Sequence, residues 1–81
     1  MRGVVSFMNA EDRLVAVLTE HGEYTVIGIM EEAALSVGDT ITGPLEALDH
    51  QILENETRGT RLSVYVEDFE LSEQDARAKL G

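Results

Sequence analysis

Short runs of β-branched and aliphatic residues, separated by turn-forming sequences, make up most of this chain. Three such runs open it, at residues 3–8, 14–19 and 23–29. Their length and their content of valine, isoleucine and threonine are typical of β-strands rather than helices. Gly22 lies between the second and third runs and supplies the positive φ that a tight hairpin commonly needs. This part of the sequence predicts a three-stranded β-meander.

The clearest strand lies in the second half of the chain. Residues 60–67 alternate apolar and polar side chains, which places Leu62, Val64 and Val66 on one face. The opposite face then carries four polar or aromatic residues: Arg61, Ser63, Tyr65 and Glu67. Further on, a serine in the N-cap position and an acidic first turn predict a short C-terminal helix over residues 72–80.

The middle of the chain is less regular. Residues 30–35 are good helix formers but too few for a stable helix, so we expect a short helical turn near them. Residues 37–43 predict a glycine turn and a fourth strand, which Pro44 ends because proline has no N–H to donate. Residues 45–56 fit either a helical stripe or a short strand, and we favour a strand at 51–54.

Five or six short strands within 81 residues imply a closed barrel, because an open sheet of this size would leave its edges unprotected. We therefore predict one domain over residues 1–81, mainly β, built as a small closed five- or six-stranded antiparallel barrel. An OB-fold and an SH3-like barrel are the two candidates. The helical turn near 30–35 and the C-terminal helix complete the predicted architecture.

Acidic residues dominate the charge. Sixteen aspartate and glutamate residues stand against six lysine and arginine residues, which gives a formal net charge of -10. The 43% apolar content is high enough for a core, so the acidity is not typical of a disordered chain. There is no cysteine, and the longest apolar runs have five residues, well short of the roughly 20 that cross a membrane. We expect a cytoplasmic protein with no membrane partner.

The N-terminal third has a recognisable pattern. Residues 2–11, with the sequence RGVVSFMNAE, place a basic residue, a glycine, a valine and an aromatic before Asn-Ala-Glu. This opening resembles the first strand and turn of a cold-shock domain, and a looser likeness extends to about residue 41. The resemblance implies an OB-like barrel and, in that family, binding of single-stranded nucleic acid on aromatic side chains.

The residues that such binding would need are largely replaced. The resemblance would place aromatics at Leu14 and Ala16 in the second strand and at Ile27 and Ile29 in the third. Phe7 alone keeps an aromatic position in the first strand. Lysines would be expected where Ser6 and Asp12 stand, and a net charge of -10 repels a phosphate backbone. We therefore expect a cold-shock-like barrel that does not bind nucleic acid in the manner of that family.

Candidate catalytic and metal-binding residues are few. His21 and His50 have acidic neighbours, but both lie in predicted turns and neither has metal-ligand spacing. The acids at 67–70 lack the pattern of a calcium loop. No serine stands in a nucleophile motif, and no loop has a phosphate-binding pattern. We expect no enzymatic activity, no metal and no cofactor.

Two features indicate a binding role instead. Tyr65 is predicted on the outer face of its strand with Arg61 and Arg58 nearby, and tyrosine and arginine are enriched at interface hot spots. Together with Phe7, these residues form the candidate interaction surface. The second feature is the acidity, which would complement a basic protein surface or mimic a nucleic-acid backbone.

The leading hypothesis is a non-enzymatic protein-interaction or regulatory module, whose partner is another protein or a second copy of the chain. An alternative is a weak single-strand binder that uses Phe7, Arg2, Arg13 and Tyr24. A third hypothesis is an acidic mimic of nucleic acid that binds a basic protein. Nucleic acid itself is not the expected partner.

Overall fold

A closed antiparallel barrel forms the body of the protein, in a computed structural model that describes all 81 residues. The elements are β1 (Arg2–Asn9), β2 (Leu14–Thr19), β3 (Tyr24–Ile29), β4 (Thr40–Thr42), β5 (Asp49–Asn55), β6 (Thr60–Leu71) and α1 (Glu73–Leu80). Neighbouring strands follow the order β1-β2-β3-β6-β5-β4, and β4 pairs with β1 to close the circle. The predicted mainly β closed barrel is confirmed, with six strands.

Two three-stranded meanders make up this barrel. The first is β1-β2-β3, as the spacing of the opening runs predicts, and the second is β4-β5-β6. They join along two seams, where β3 pairs with β6 and β1 pairs with β4. Because every strand has a neighbour on both sides, no long edge is left to pair with another chain.

The barrel interior is filled by ten buried aliphatic side chains. Every strand contributes, and one loop residue joins them: Val5, Val15, Val17, Ile27, Ile41, Leu45, Leu53, Leu62, Val64 and Val66. The inward face predicted for residues 60–67 is therefore confirmed. Leu45 comes from the connection between β4 and β5 and is fully buried where β1 begins, in contact with Gly3. A loop residue thus closes this end of the core.

The helical turn expected near residues 30–35 is wrong. This segment crosses from β3 to β4 without helical structure. Long-range backbone bonds anchor the connection on either side of it: Met30 N–H donates to the Ser63 carbonyl at 3.0 Å, and Gly38 N–H, three residues beyond the segment, donates to the Val5 carbonyl at 2.8 Å. A single helical turn fixes several dihedral angles for one hydrogen bond, so these long-range bonds outweigh the helix propensity of the segment.

The bounds of β5 and β6 differ from those predicted from the sequence. Residues 49–55 form a strand that pairs with β6 along its whole length, so the strand predicted at 51–54 is confirmed and is longer at both ends. β6 continues four residues beyond the predicted end because Leu71 pairs with Tyr24 of β3. A register shift interrupts this last stretch, and Glu70 within it has a φ of 58°. Glutamate rarely adopts this left-handed conformation.

The helix α1 packs on the outer surface of the first meander. Ser72 is its N-cap, and the Ser72 Oγ accepts a hydrogen bond from the Asp75 N–H at 3.1 Å. Ala76 and Leu80 are buried in a second cluster with Ala16 and Val26, separate from the interior. The predicted C-terminal helix is confirmed. It has eight residues, and no helix of the structure has the length and apolar character to cross a membrane.

Candidate functional site

The outer surface of β5 and β6 carries the candidate residues Tyr65 and Arg61. In the register of this hairpin His50 faces Tyr65, Ile52 faces Ser63 and Glu54 faces Arg61. Strand alternation directs all six side chains away from the core. We call His50, Ile52, Arg61, Ser63 and Tyr65 the β5–β6 face. Ile52 is 50% exposed and Tyr65 is 43% exposed, so the face presents an aliphatic and an aromatic side chain to solvent.

Hydrogen bonds fix the polar groups of the β5–β6 face. The Tyr65 hydroxyl donates to Asp49 Oδ1 at 2.9 Å, and this bond, with the nearby charges of Asp49 and Glu67, raises the pKa of Tyr65. His50 Nε2 and Ser63 Oγ lie 2.8 Å apart. The tyrosine ring is therefore held in one orientation while its face stays open, which lowers the entropy lost when a partner covers it.

Two further exposed apolar side chains, one next to Ser63 and one just before β5, were not singled out from the sequence. Met30 follows β3 and hydrogen-bonds through its N–H to Ser63, and it is 52% exposed. Leu48 immediately precedes β5 and is 51% exposed. Ile52 and His50 were also missed as members of the surface. The alternation of residues 50–54 could have found them, but only once β5 was known to pair with β6.

Most of the basic side chains are engaged within the protein. Ion pairs join Arg2 to Glu56, Arg58 to Asp39, Arg77 to Glu73 and Lys79 to Asp68. Of the six basic residues, only Arg13 and Arg61 make no ion pair. Arg61 lies on the β5–β6 face, whereas Arg13 lies in the turn between β1 and β2 with a φ of 57°. The surface is thus acidic, and the unpaired Arg61 lies on the same face of β6 as the exposed Tyr65.

Arg58, the third candidate, has a structural role in the turn between β5 and β6. Its Nε donates to Asp39 Oδ2 at 2.8 Å, and its Nη2 donates to Ser36 Oγ at 2.8 Å. Asn55 Nδ2 and the Ser36 N–H donate to the same Asp39 oxygen, at 2.9 and 3.0 Å. Arg58 therefore connects the segment before β4 to this turn. Its side chain is engaged there and is not part of the surface that carries Tyr65, which lies five residues beyond Thr60 along β6.

These bonds make acid stability depend on Asp39. The hydrogen bond from Asn55, then that from Arg58, holds the pKa of the Asp39 carboxyl below its usual 3.8. A carboxylate with a lowered folded-state pKa stabilises fully above its unfolded pKa and loses that contribution as the pH falls through the folded value. We expect Asp39→Asn to lower stability at neutral pH and to flatten the loss of stability below about pH 4.

Denaturant unfolding at a series of pH values measures this effect. Glu20, whose pKa is lowered mainly by the Arg2 N–H, also loses a stabilising contribution as the pH falls, so Asp39→Asn should remove only part of the slope. Glu54→Gln is the matched control, because Glu54 is an exposed strand carboxylate without an ion pair. Superimposable profiles for Asp39→Asn and the unmodified chain would contradict the assignment.

Phe7, the fourth candidate, lies on the other side of the barrel under α1. The guanidinium carbon of Arg77 stands 4.2 Å from the centre of the Phe7 ring, and the Tyr24 ring centre lies 5.7 Å from it. Phe7 and Tyr24 border the cluster in which α1 buries Ala16 and Val26. The structure thus places Tyr65 and Arg61 on one face of β6, and Phe7 on a different part of the barrel. The helix α1 covers Ala16 and Val26, which Phe7 borders.

The placement of Ile27 and Ile29 on that outer surface is wrong. Ile27 is fully buried in the interior cluster, and Ile29 packs against it. The outward-facing residues of β3 are instead Tyr24, Val26 and Gly28, and they alternate along the strand with the inward-facing positions that include Ile27 and Ile29. A bulge in β1 between Val5 and Phe7 turns Phe7 outward, opposite Ala16. The resemblance carried no signal for the phase of β3.

The remaining titratable groups form no further cluster. His21 Nδ1 lies 3.5 Å from Glu46 Oε2, and no three histidine or carboxylate side chains come close enough to hold a metal ion. A hollow of about 360 Å³ lies between the turn after β1 and residues 31–35, with Met8, Leu14 and Arg13 in its wall. It does not touch the β5–β6 face.

Comparison with known proteins gives no match. No protein-family model fits the chain, and no curated protein or solved structure is significantly similar to it. The fold description therefore depends on the strand order, and any functional assignment depends on the surface chemistry of the chain itself.

Proposed function

We propose that this protein is a non-enzymatic interaction module that binds a basic protein, which its net negative charge attracts and its β5–β6 face contacts. The observation that carries the proposal is the exposed pair Ile52 and Tyr65, presented beside the unpaired Arg61 on an otherwise acidic barrel. Tyrosine and arginine are the residue types that most often dominate binding energy when a partner covers them.

Rigidity of the face supports this assignment. All five of its residues lie on two strands paired over seven positions, from Asp49 opposite Val66 to Asn55 opposite Thr60. The Tyr65 hydroxyl is already bonded to Asp49. A partner that docks on this surface would therefore order few additional groups, and the apolar area of Ile52, Met30 and Tyr65 would be removed from water at little entropic cost.

The charge of the chain indicates the chemistry of the partner. With a net charge of -10 and four of six basic residues neutralised by ion pairs, the surface attracts cationic proteins and repels phosphate. This charge accelerates encounter, and the β5–β6 face supplies specific contact. A basic partner that normally binds nucleic acid would make the chain an acidic mimic, which competition with DNA would reveal.

A relation to cold-shock domains and a cytoplasmic location are parts of the same proposal. The first is supported by residues 2–11, which form β1 and its turn as in that family, and by the meander that follows. The cover of α1 over Ala16 and Val26 supports a function other than base stacking on this surface. The second is supported by the absence of cysteine.

Affinity capture followed by direct binding measurements tests the proposed function. A captured protein should bind the purified chain, and Tyr65→Ala should weaken that binding by about tenfold or more, as expected for a hot-spot residue. Val37→Ala is the matched control, because Val37 is 62% exposed but lies outside the β5–β6 face. Raising the salt concentration should slow association, because it screens the attraction.

Two results would contradict the proposal. One is equal loss of binding in Tyr65→Ala and Val37→Ala. The other is the capture of no protein together with tight binding of single-stranded oligonucleotides in a mobility-shift assay, which would favour the nucleic-acid alternative.

A further inference from the structure

The helix α1 is attached to the barrel by a small number of contacts. Only Ala76 and Leu80 of its eight residues are buried. Three side-chain interactions supplement them: Lys79 with Asp68 at 3.4 Å, Arg77 with the Phe7 ring, and Asn9 Nδ2 with the Leu80 carbonyl at 2.6 Å. An eight-residue helix is not stable alone in water, so these contacts keep it folded.

The apolar surface beneath α1 is larger than the helix face that covers it. Phe7, Leu14, Tyr24 and Leu71 are only partly buried around Ala16 and Val26. If α1 left, Phe7, Leu14, Ala16, Tyr24 and Val26 would be exposed together on the first meander. Such a surface needs a helical occupant, and the occupant that fits it is the α1 sequence itself.

The connection that returns α1 to its own barrel is short and strained. β6 ends at Leu71 and α1 begins at Glu73, so Ser72 is the only residue between them. Immediately before, Glu70 has a φ of 58°, which disfavours any residue except glycine and a few small polar ones. If Glu70 became extended, the strain would be relieved and the chain would carry α1 away from its own sheet.

We propose that two copies of this chain exchange α1, each helix occupying the surface of Phe7, Ala16 and Val26 on the other copy. Every contact that holds α1 in the monomer is made again in the dimer, so exchange loses no packing and relieves the backbone at Glu70. Short strained connections are the usual setting for such exchange. This inference is independent of the β5–β6 face.

Electrostatics set the conditions under which the exchanged dimer forms. Each copy carries a net charge of -10, so association is opposed at low salt and favoured when salt screens the repulsion. The Lys79–Asp68 pair is retained in both forms. The dimer fraction should therefore rise with both protein and salt concentration.

The single lysine of the chain allows a direct test. A carbodiimide reagent joins an amine to an adjacent carboxylate without a spacer, and Lys79 Nζ lies 3.4 Å from Asp68 Oδ2. Unlabelled and ¹⁵N-labelled chains would be refolded together, concentrated at high salt, cross-linked and separated by size. The expected result is a covalent dimer whose Lys79–Asp68 cross-linked peptides include pairs with one labelled and one unlabelled member.

Two outcomes of this experiment overturn the proposal. The first is a chain that stays monomeric at every concentration and salt level, with only same-isotope Lys79–Asp68 peptides. The second is a dimer that lacks mixed-isotope Lys79–Asp68 peptides, because it would use another surface. Binding of a basic protein at the β5–β6 face would be unaffected by either result.

Variants at Glu70 test the hinge separately. Glu70→Val places a β-branched residue where φ is positive and should strengthen dimerisation by about tenfold, whereas Glu70→Gly removes the strain and should weaken it by about the same factor. Glu54→Val is the matched control, since it makes the same change of charge and shape on an exposed strand. Sedimentation equilibrium measures all three, and equal effects of Glu70→Val and Glu54→Val would contradict the hinge.

Discussion

Gly3→Ala is expected to destabilise the barrel by about 3 kcal/mol or more, at the upper end of the cost of overpacking a core. A Cβ at this position would stand 2.5 Å from Val17 Cγ1 and 2.9 Å from the Leu18 carbonyl oxygen. The carbonyl belongs to the β1–β2 ladder and cannot move without breaking it. Since each kcal/mol shifts the midpoint of a domain this size by about 4–8 °C, thermal unfolding should show a fall of more than about 10 °C.

Gly28→Ala is the matched control for this result. Gly28 also lies in a strand of the first meander, but a Cβ there meets nothing closer than Glu67 Oε2 at 3.4 Å. Alanine also reduces the entropy of the unfolded chain, so this variant should be neutral or slightly more stable. If the two variants unfolded at the same temperature, the close approach of β1 and β2 at Gly3 would be refuted.

Leu45→Ala should cost about 2–5 kcal/mol, the range for removing a fully buried leucine from a core. Leu45 is 0% exposed although it lies in a loop, and the Leu45 carbonyl accepts a hydrogen bond from the buried Thr25 hydroxyl at 3.0 Å. The truncated side chain would leave a cavity at the end of the barrel where β1 begins. Chemical denaturation measures the change in the free energy of unfolding.

Leu48→Ala tests whether burial, rather than residue type, accounts for that cost. Leu48 lies three positions further along the same loop and is 51% exposed, so its truncation should change stability by less than about 1 kcal/mol. Both variants remove the same atoms from the same connection. A similar loss in both would mean that the loop does not seal the core as described.

The fold was largely predictable because strand alternation and turn residues act locally. The alternation of residues 60–67 predicts which side chains face inward, and β6 buries Leu62, Val64 and Val66 as predicted. Closure of the barrel was also predictable, because short strands in a chain of this size protect their edges when each pairs with a neighbour on both sides. The inward position of Leu45 did not follow, because nothing local distinguishes it from the exposed Leu48.

The phase of the outer surface could not be predicted from the sequence. Ile27 lies opposite Val15 of β2 and shares its inward direction, and this register depends on how the two strands align rather than on any local pattern in β3. Residues 30–35 were misread for a related reason. They lie between the bond from Met30 to Ser63 and the turn in which Ser36 bonds to Asp39, and neither anchor can be read from local helix propensity.

The candidate surface was predictable only in part. Alternation placed Tyr65 and Arg61 outward together, which the structure bears out. Arg58 differs because its partner Asp39 lies 19 residues away, and Phe7 differs because α1 folds back over it. The bond from Tyr65 to Asp49 depends on how β5 and β6 align, a quantity that no short stretch of sequence contains.

The seam between β3 and β6 has a consequence for folding kinetics. It joins Tyr24 to Leu71 and Ile29 to Val64, so the barrel closes only when distant parts of the chain meet. Loop-closure entropy must be overcome before these pairings give any stabilisation, which places such topologies in the range of about milliseconds to seconds. We expect the first meander to form early and transiently, and closure of the β3–β6 seam to limit the folding rate.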